Sequence, residues 1–221
     1  MAKKVMASFL SKECAIFSTS IYGNKATKKT LSTLVKKLYD QQSWNEIHKV
    51  KEDKAKLLDD NGGSWLHVAA KKGQVDVVQK LLATRCCNTN VALTNGATAL
   101  CAAVTHGHVE TVQALLEGGA SADVEYDNGM TPLYYAASAG YSLIVNELLA
   151  KDAVVNVSLR ENGATPLSIA VEKGYLDIVQ ALLQKGAQVN VSYGDGVTPL
   201  YYAVYSGNRA IVKELLASLH G

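Results

Sequence analysis

No apolar run in this sequence approaches the ~18 residues that a membrane-crossing helix needs, so no such span is predicted. The first residues, Met1 to Leu10, carry a basic flank. Their apolar stretch is short and is soon broken by Lys12 and Glu13, which argues against a cleaved leader. Four cysteines (Cys14, Cys86, Cys87, Cys101) form no CxxC pair and no His/Cys cluster at zinc spacing. They exclude a disulfide scaffold and predict reduced thiols in a cytoplasmic compartment. A strong charge is also missing. Residues 1–60 hold 12 Lys against 7 acidic residues, and residues 61–221 hold 10 basic against 13 acidic. The second balance rules out a nucleic-acid footprint over residues 61–221, and the basic first sixty leave that question open. There is no GxxxxGK phosphate loop and no HExxH helix. The five histidines are scattered, and His106-Gly107-His108 brackets a helix end. Two ring nitrogens there have the makings of a metal site, but a helix C-terminus favours a cation, and capping is the reading adopted. No catalytic, cofactor-binding or metal-binding residue is predicted, and the chain is not expected to be an enzyme.

Proline is nearly absent, and its three copies are informative. Pro132, Pro166 and Pro199 occupy one slot of a recurring unit. Thr131-Pro132-Leu133-Tyr134-Tyr135-Ala136 returns letter for letter at Thr198–Ala203, 67 residues on. With looser copies the starts are Ser64, Thr98, Thr131, Thr165 and Thr198, spaced 34, 33, 34 and 33 apart. A fixed period of that length is the signature of stacked repeats.

Each unit can be read as local physics. Asn128-Gly129 is a tight-turn dipeptide, matched by Asn61-Gly62, Asn95-Gly96, Asn162-Gly163 and Asp195-Gly196. Thr131 follows as an N-cap, and Pro132 sits at the first helical position, where a missing N–H costs nothing. Leu133, Ala136 and Ala137 make a narrow apolar stripe. Gly140 stops the helix nine residues after the cap, as Gly73, Gly107, Gly174 and Gly207 do in the other units. A second helix carries Ile144, Val145, Leu148 and Leu149 inward. Helices this short do not persist alone, so each must be covered by its neighbours. A further echo links Ile144-Val-Asn-Glu-Leu-Leu-Ala150 with Ile211-Val-Lys-Glu-Leu-Leu-Ala217, again 67 apart, as if a two-unit block had been duplicated.

Ahead of the units, Val5, Met6, Phe9, Leu10, Ile16 and Phe17 can form one helical stripe, followed by a linker to Lys25. The stripe reads as a docked or fraying helix; the alternative is a segment that targets a membrane surface or nucleic acid. Leu31, Leu34, Val35 and Leu38 then follow helical spacing, and Ser43-Trp44-Asn45-Glu46 has capping-box form. Residues 26–58 therefore read as a worn unit that closes one end of the stack.

Turn, Thr-Pro-Leu, paired small residues, Gly, Ile-Val and Leu-Leu at this spacing resemble the ankyrin repeat. The resemblance implies an all-α solenoid of helix-turn-helix units with β-turn tips and a degenerate helical N-terminal cap. Five units are expected at about 59–92, 93–125, 126–159, 160–192 and 193–221. The His usual after Thr-Pro-Leu survives only as His67, and its slot holds Cys101, Tyr134, Ser168 and Tyr201 elsewhere, so the bonds it supplies are expected to be patchy. Asn156 and Asn190 lie in the loop where ankyrin proteins of animal cells are often hydroxylated; the reading adopted is a loop Asn bonded to its own backbone.

The resemblance also implies a non-enzymatic adaptor or inhibitor that meets a folded protein partner on its concave face and turn tips, with no small-molecule substrate. A bacterial protein delivered into a host cell is the alternative setting. The expected contact residues are Lys71 and Lys72, Thr105 and His106, the tips Asp127, Met130, Asp195 and Val197, and the tyrosines Tyr134, Tyr135, Tyr201, Tyr202 and Tyr205. Eleven tyrosines against two Phe and two Trp is the composition of an interface centre. One Tyr of each pair is expected to pack between units and the other to face the partner, with Tyr205 the best exposed.

Overall fold

The computed structural model describes residues 65–83, 88–194 and 196–219. The expected amphipathic helix and linker of residues 1–25, the capping unit of 26–58, the first turn tip and the connection at 84–87 lie outside the described residues. So does the tip residue Asp195.

The described chain forms five helix pairs: α1 (Trp65–Lys71) with α2 (Val75–Ala83), α3 (Ala99–Thr105) with α4 (Val109–Glu117), α5 (Pro132–Ala139) with α6 (Ser142–Ala150), α7 (Pro166–Lys173) with α8 (Leu176–Gln184), and α9 (Pro199–Tyr205) with α10 (Arg209–Ser218). The first helices pack in one row, α1 on α3 on α5 on α7 on α9, and the second helices in a parallel row, α2 on α4 on α6 on α8 on α10. Sequence neighbours are therefore spatial neighbours throughout, and the array is an ankyrin-type solenoid. Beyond two isolated bridges, no strand occurs among the described residues.

Local chemistry sets each helix. Thr131, Thr165 and Thr198 accept a bond from the backbone N–H three residues on, at 3.2 Å each, and a proline opens the helix behind each of them. Ser168 completes a capping box by accepting from the Thr165 N–H at 2.8 Å. Thr98 makes no such cap and lies 3.4 Å from the Cys101 sulfur instead. The helices are only seven to ten residues long, below the ~12–15 at which an isolated helix is marginal, so packing and not propensity holds them.

That packing rests on one alanine slot and one layer of branched residues. Ala69, Ala103, Ala136, Ala170 and Ala203 share a position five residues after the cap and are all fully buried, which lets first helices approach closely. Ile144, Val145, Leu148 and Leu149 are buried as expected, together with their equivalents Ile178, Val179 and Leu182.

Two ladders tie the units along their edges. At the tips, the N–H groups of Asp127, Arg160 and Gly194 donate to the carbonyls of Asn95, Asn128 and Asn162 in the preceding unit, at 3.1, 3.2 and 2.7 Å. At the opposite loops, Asn90 accepts from the Ser121 N–H, Asp123 from Val154 and Asn156 from Gln188, at 2.8, 2.7 and 2.9 Å. Asn156 also donates to the Gly186 carbonyl at 3.2 Å. This corrects the expectation that Asn156 serves its own backbone: it is a strut to the next unit.

Three of the glycine stops, Gly73, Gly107 and Gly140, have a second duty that the sequence did not reveal. Gly140 has φ +76, and a Cβ there would lie 2.8 Å from the ring of Tyr175 in the following unit. His108 and Tyr141 seat against Gly73 and Gly107 in the same way.

Candidate interaction face

The first helices and the tips they carry form one edge of the array. The tips of units three and five are closed as small hairpins. Tyr126 and Met130 exchange both backbone bonds at 2.9 Å, and Tyr193 and Val197 do so at 3.0 and 3.1 Å. In units two and four, the corresponding contact is a single bond, Leu93 N–H to Ala97 and Leu159 N–H to Ala164. Asp127 is exposed with φ +37, and Met130 and Val197 are half-buried. An exposed ion pair, Arg160 to Glu125 at 2.7 Å, and a bond from Asn128 to Glu161 at 2.6 Å join neighbouring tips.

Behind the tips the tyrosines separate by environment. Tyr134 is 8% exposed and packs between units, so it is not an accessible anchor. Tyr135 and Tyr202 are half-buried against the core. Tyr201 and Tyr205 are 60% and 78% exposed, with rings stacked at 6.3 Å and 7°. Tyr202 meets Tyr205 in a tilted contact at 6.4 Å. In the first pair, then, neither ring is free. In the second, the slot that is buried at Tyr134 is open at Tyr201, because no described unit packs over α9.

Sequence reasoning missed two further tyrosines. Tyr126 and Tyr193 sit at the root of the closed tips, again 67 apart, and that offset was the available signal. Burial pushes the Tyr126 hydroxyl well above its ordinary range, with Cys101 adding to the effect and Thr105 partly offsetting it. Burial, followed by the neighbouring Glu172, pushes Tyr193 up to about 12. Burial and then Glu172 also raise Tyr134.

The remaining expected contacts lie at the other end of the edge. Lys71 and Lys72 are exposed. Thr105 is half-buried and donates its hydroxyl to the Cys101 carbonyl at 2.6 Å. His106 bonds the Ala102 carbonyl at 2.9 Å, and His108 the Lys71 carbonyl at 3.1 Å, so each closes a helix end. Their rings stack at 6.1 Å. His67, in the slot that changes from unit to unit, reaches the Ala97 carbonyl of the next tip at 3.2 Å, whereas Cys101 and Ser168 bond only within their own caps. Desolvation by burial pushes the Cys101 thiol up from its ordinary range. No group of three metal-ligating side chains occurs among the described residues. No described helix is long and apolar enough to cross a membrane.

Comparison with known proteins agrees with this geometry. The family model of ankyrin repeats (three copies) matches four overlapping stretches, residues 24–126, 66–158, 118–193 and 155–221. A probable E3 ubiquitin-protein ligase of Oryza sativa subsp. japonica is 42% identical over 88 residues, 39% of this chain and 17% of the rice protein. The chain thus matches less than a fifth of that relative's length.

Proposed function

The chain belongs to the ankyrin-repeat family, a family of protein-interaction modules, and on that premise we propose that it is a non-enzymatic adaptor. It holds one folded protein through the concave face of its first helices and its turn tips. The observation that carries this reading is the pair of stacked, solvent-facing rings of Tyr201 and Tyr205 on α9. Large aromatic side chains left in water beside a rigid scaffold are the side chains that interface centres use, since they bury much area with little loss of rotamer freedom. Half-buried Tyr202, in tilted contact with Tyr205, adjoins that surface.

The rice relative is described as a probable ubiquitin ligase. The free, buried Cys101 favours the cytoplasm.

The test is quantitative affinity capture with the intact chain beside Tyr205→Ala and a Tyr201→Ala, Tyr202→Ala, Tyr205→Ala triple variant. The expected result is a captured protein that weakens about tenfold or more with Tyr205→Ala, as truncating a central aromatic does. The melting temperature should stay within a few degrees, because Tyr205 is exposed. Unchanged capture by a folded triple variant would remove this face from the function.

A further inference from the structure

The seventh residue after each cap lies in the last turn of a first helix, and along the row this slot reads Lys71, Thr105, Ser138, Glu172 and Tyr205. Glu172 is the acid of that row. A carboxylate there stands at the negative end of the helix dipole, which disfavours it. Glu172 is half-buried, its side chain 33% exposed, and its one ion pair among the described residues is with its chain neighbour Lys173 at 3.8 Å. That leaves its charge for a further cation to balance.

Its surroundings are aromatic and come from three successive units. Burial first, and then the Glu172 carboxylate, push the hydroxyls of Tyr134 on α5 and Tyr193 at the fifth tip above their ordinary range, and Tyr202 on α9 adds to the effect on Tyr193. The Tyr193 hydroxyl is shielded from water and makes no hydrogen bond. The helix that carries Glu172, α7, packs on α5 at one side and on α9 at the other, so the cluster lies inside the described row. The chain also holds an uncharged copy. Thr105, Tyr126 and Tyr135 stand 67 residues before Glu172, Tyr193 and Tyr202. Thr105 donates its hydroxyl to the Cys101 carbonyl at 2.6 Å, so the copy has a closed hydroxyl where Glu172 has a charge.

We propose that Glu172, framed by Tyr134, Tyr193 and Tyr202, seats an arginine side chain of the protein that this face binds. A guanidinium fits on three counts. It stays charged at any working pH, its planar N–H fork matches a carboxylate, and it stacks on tyrosine faces with little hydration to lose. A lysine ammonium is a point charge that holds its water more tightly. An apolar or anionic side chain would cover Glu172 and leave its charge without a partner, which costs more than it gains. That the arginine belongs to a bound protein rests on the adaptor reading; the preference of the seat for a guanidinium does not.

The probe is N-acetyl-arginine methylamide, titrated into the full chain at constant ionic strength while tyrosine ring signals are followed by NMR. Saturation below about 50 mM is expected, with shifts at Tyr193 and Tyr202 and none at the uncharged copy, Tyr126 and Tyr135. Glu172→Gln should weaken binding about fivefold or more at an unchanged melting temperature, and so should the neutral citrulline analogue of the probe. The lysine analogue should bind more weakly than the arginine one. No saturation, equal binding of the citrulline or lysine analogue, or binding that survives Glu172→Gln overturns the proposal. The same variant enters the affinity capture, where it should weaken the captured protein about fivefold or more. Capture that falls with the tyrosine triple variant but not with Glu172→Gln overturns the proposal and leaves the adaptor reading standing. Capture that neither variant moves removes this face from partner binding, whatever the probe does.

Discussion

At Gly140 two constraints meet that a sequence logo would merge into one. The backbone is left-handed, φ +76, and the space where a side chain would begin is held by the Tyr175 ring at 2.8 Å. Gly140→Ala should therefore cost about 1–3 kcal/mol from the backbone conformation alone, and more from displacing the ring. Gly186→Ala, equally left-handed with nothing near its Cβ position, should cost only the first part; paired denaturant titrations separate the two. The root tyrosines give a pH signature at the same scale. Tyr193 titrates at about 12 in the folded chain against 10.0 ordinarily. The unfolded chain therefore loses that proton first as pH rises, and stability is present in full below 10.0 and declines from there to about 12. Tyr193→Phe should flatten that alkaline decline, measured by melting temperature across pH 9–12 with ultraviolet absorbance reporting ionisation.

At the scale of the element, caps and cover decide whether a helix of eight residues exists. Thr165 both accepts from Ser168 and receives the reciprocal bond at its own N–H, whereas Thr98 makes no amide cap. Thr165→Ala should lose about 1–2 kcal/mol and Thr98→Ser clearly less, read by chemical denaturation. Leu149 on α6 is 3% exposed, and Leu149→Ala should cost about 2–5 kcal/mol. A loss under about half a kcal/mol would mean that the site closes up around the missing atoms or was never tightly filled.

At the scale of the whole molecule, the extensive helix–helix contacts among the described residues run within a pair or between adjacent pairs, so stability is a chain of nearest-neighbour couplings with no single centre. Damage should stay local. Leu215→Ala, at a fully buried position of α10, should raise amide hydrogen exchange across α9 and α10 and leave α3 to α6 near their native protection. Uniform loss of protection would instead mean that the five pairs unfold as one unit. The same linearity explains why Val204 is 61% exposed where no described unit lies over α9, while Val104, Ala137 and Val171 at the same slot are buried between described units.

The sequence alone determined the repeat, its register, the caps at Thr131, Thr165 and Thr198, the stops and the inward residues, because turns, caps and helical periodicity are local and each is written within a few residues. Only the tertiary structure decided which tyrosines meet water. Tyr134 and Tyr201 stand in identical hexapeptides, yet one is buried and the other open, since exposure depends on what the next unit places over them. Asn156 as a strut and the tyrosine ring behind Gly140 are likewise relations between units, which a repeat's own letters do not contain.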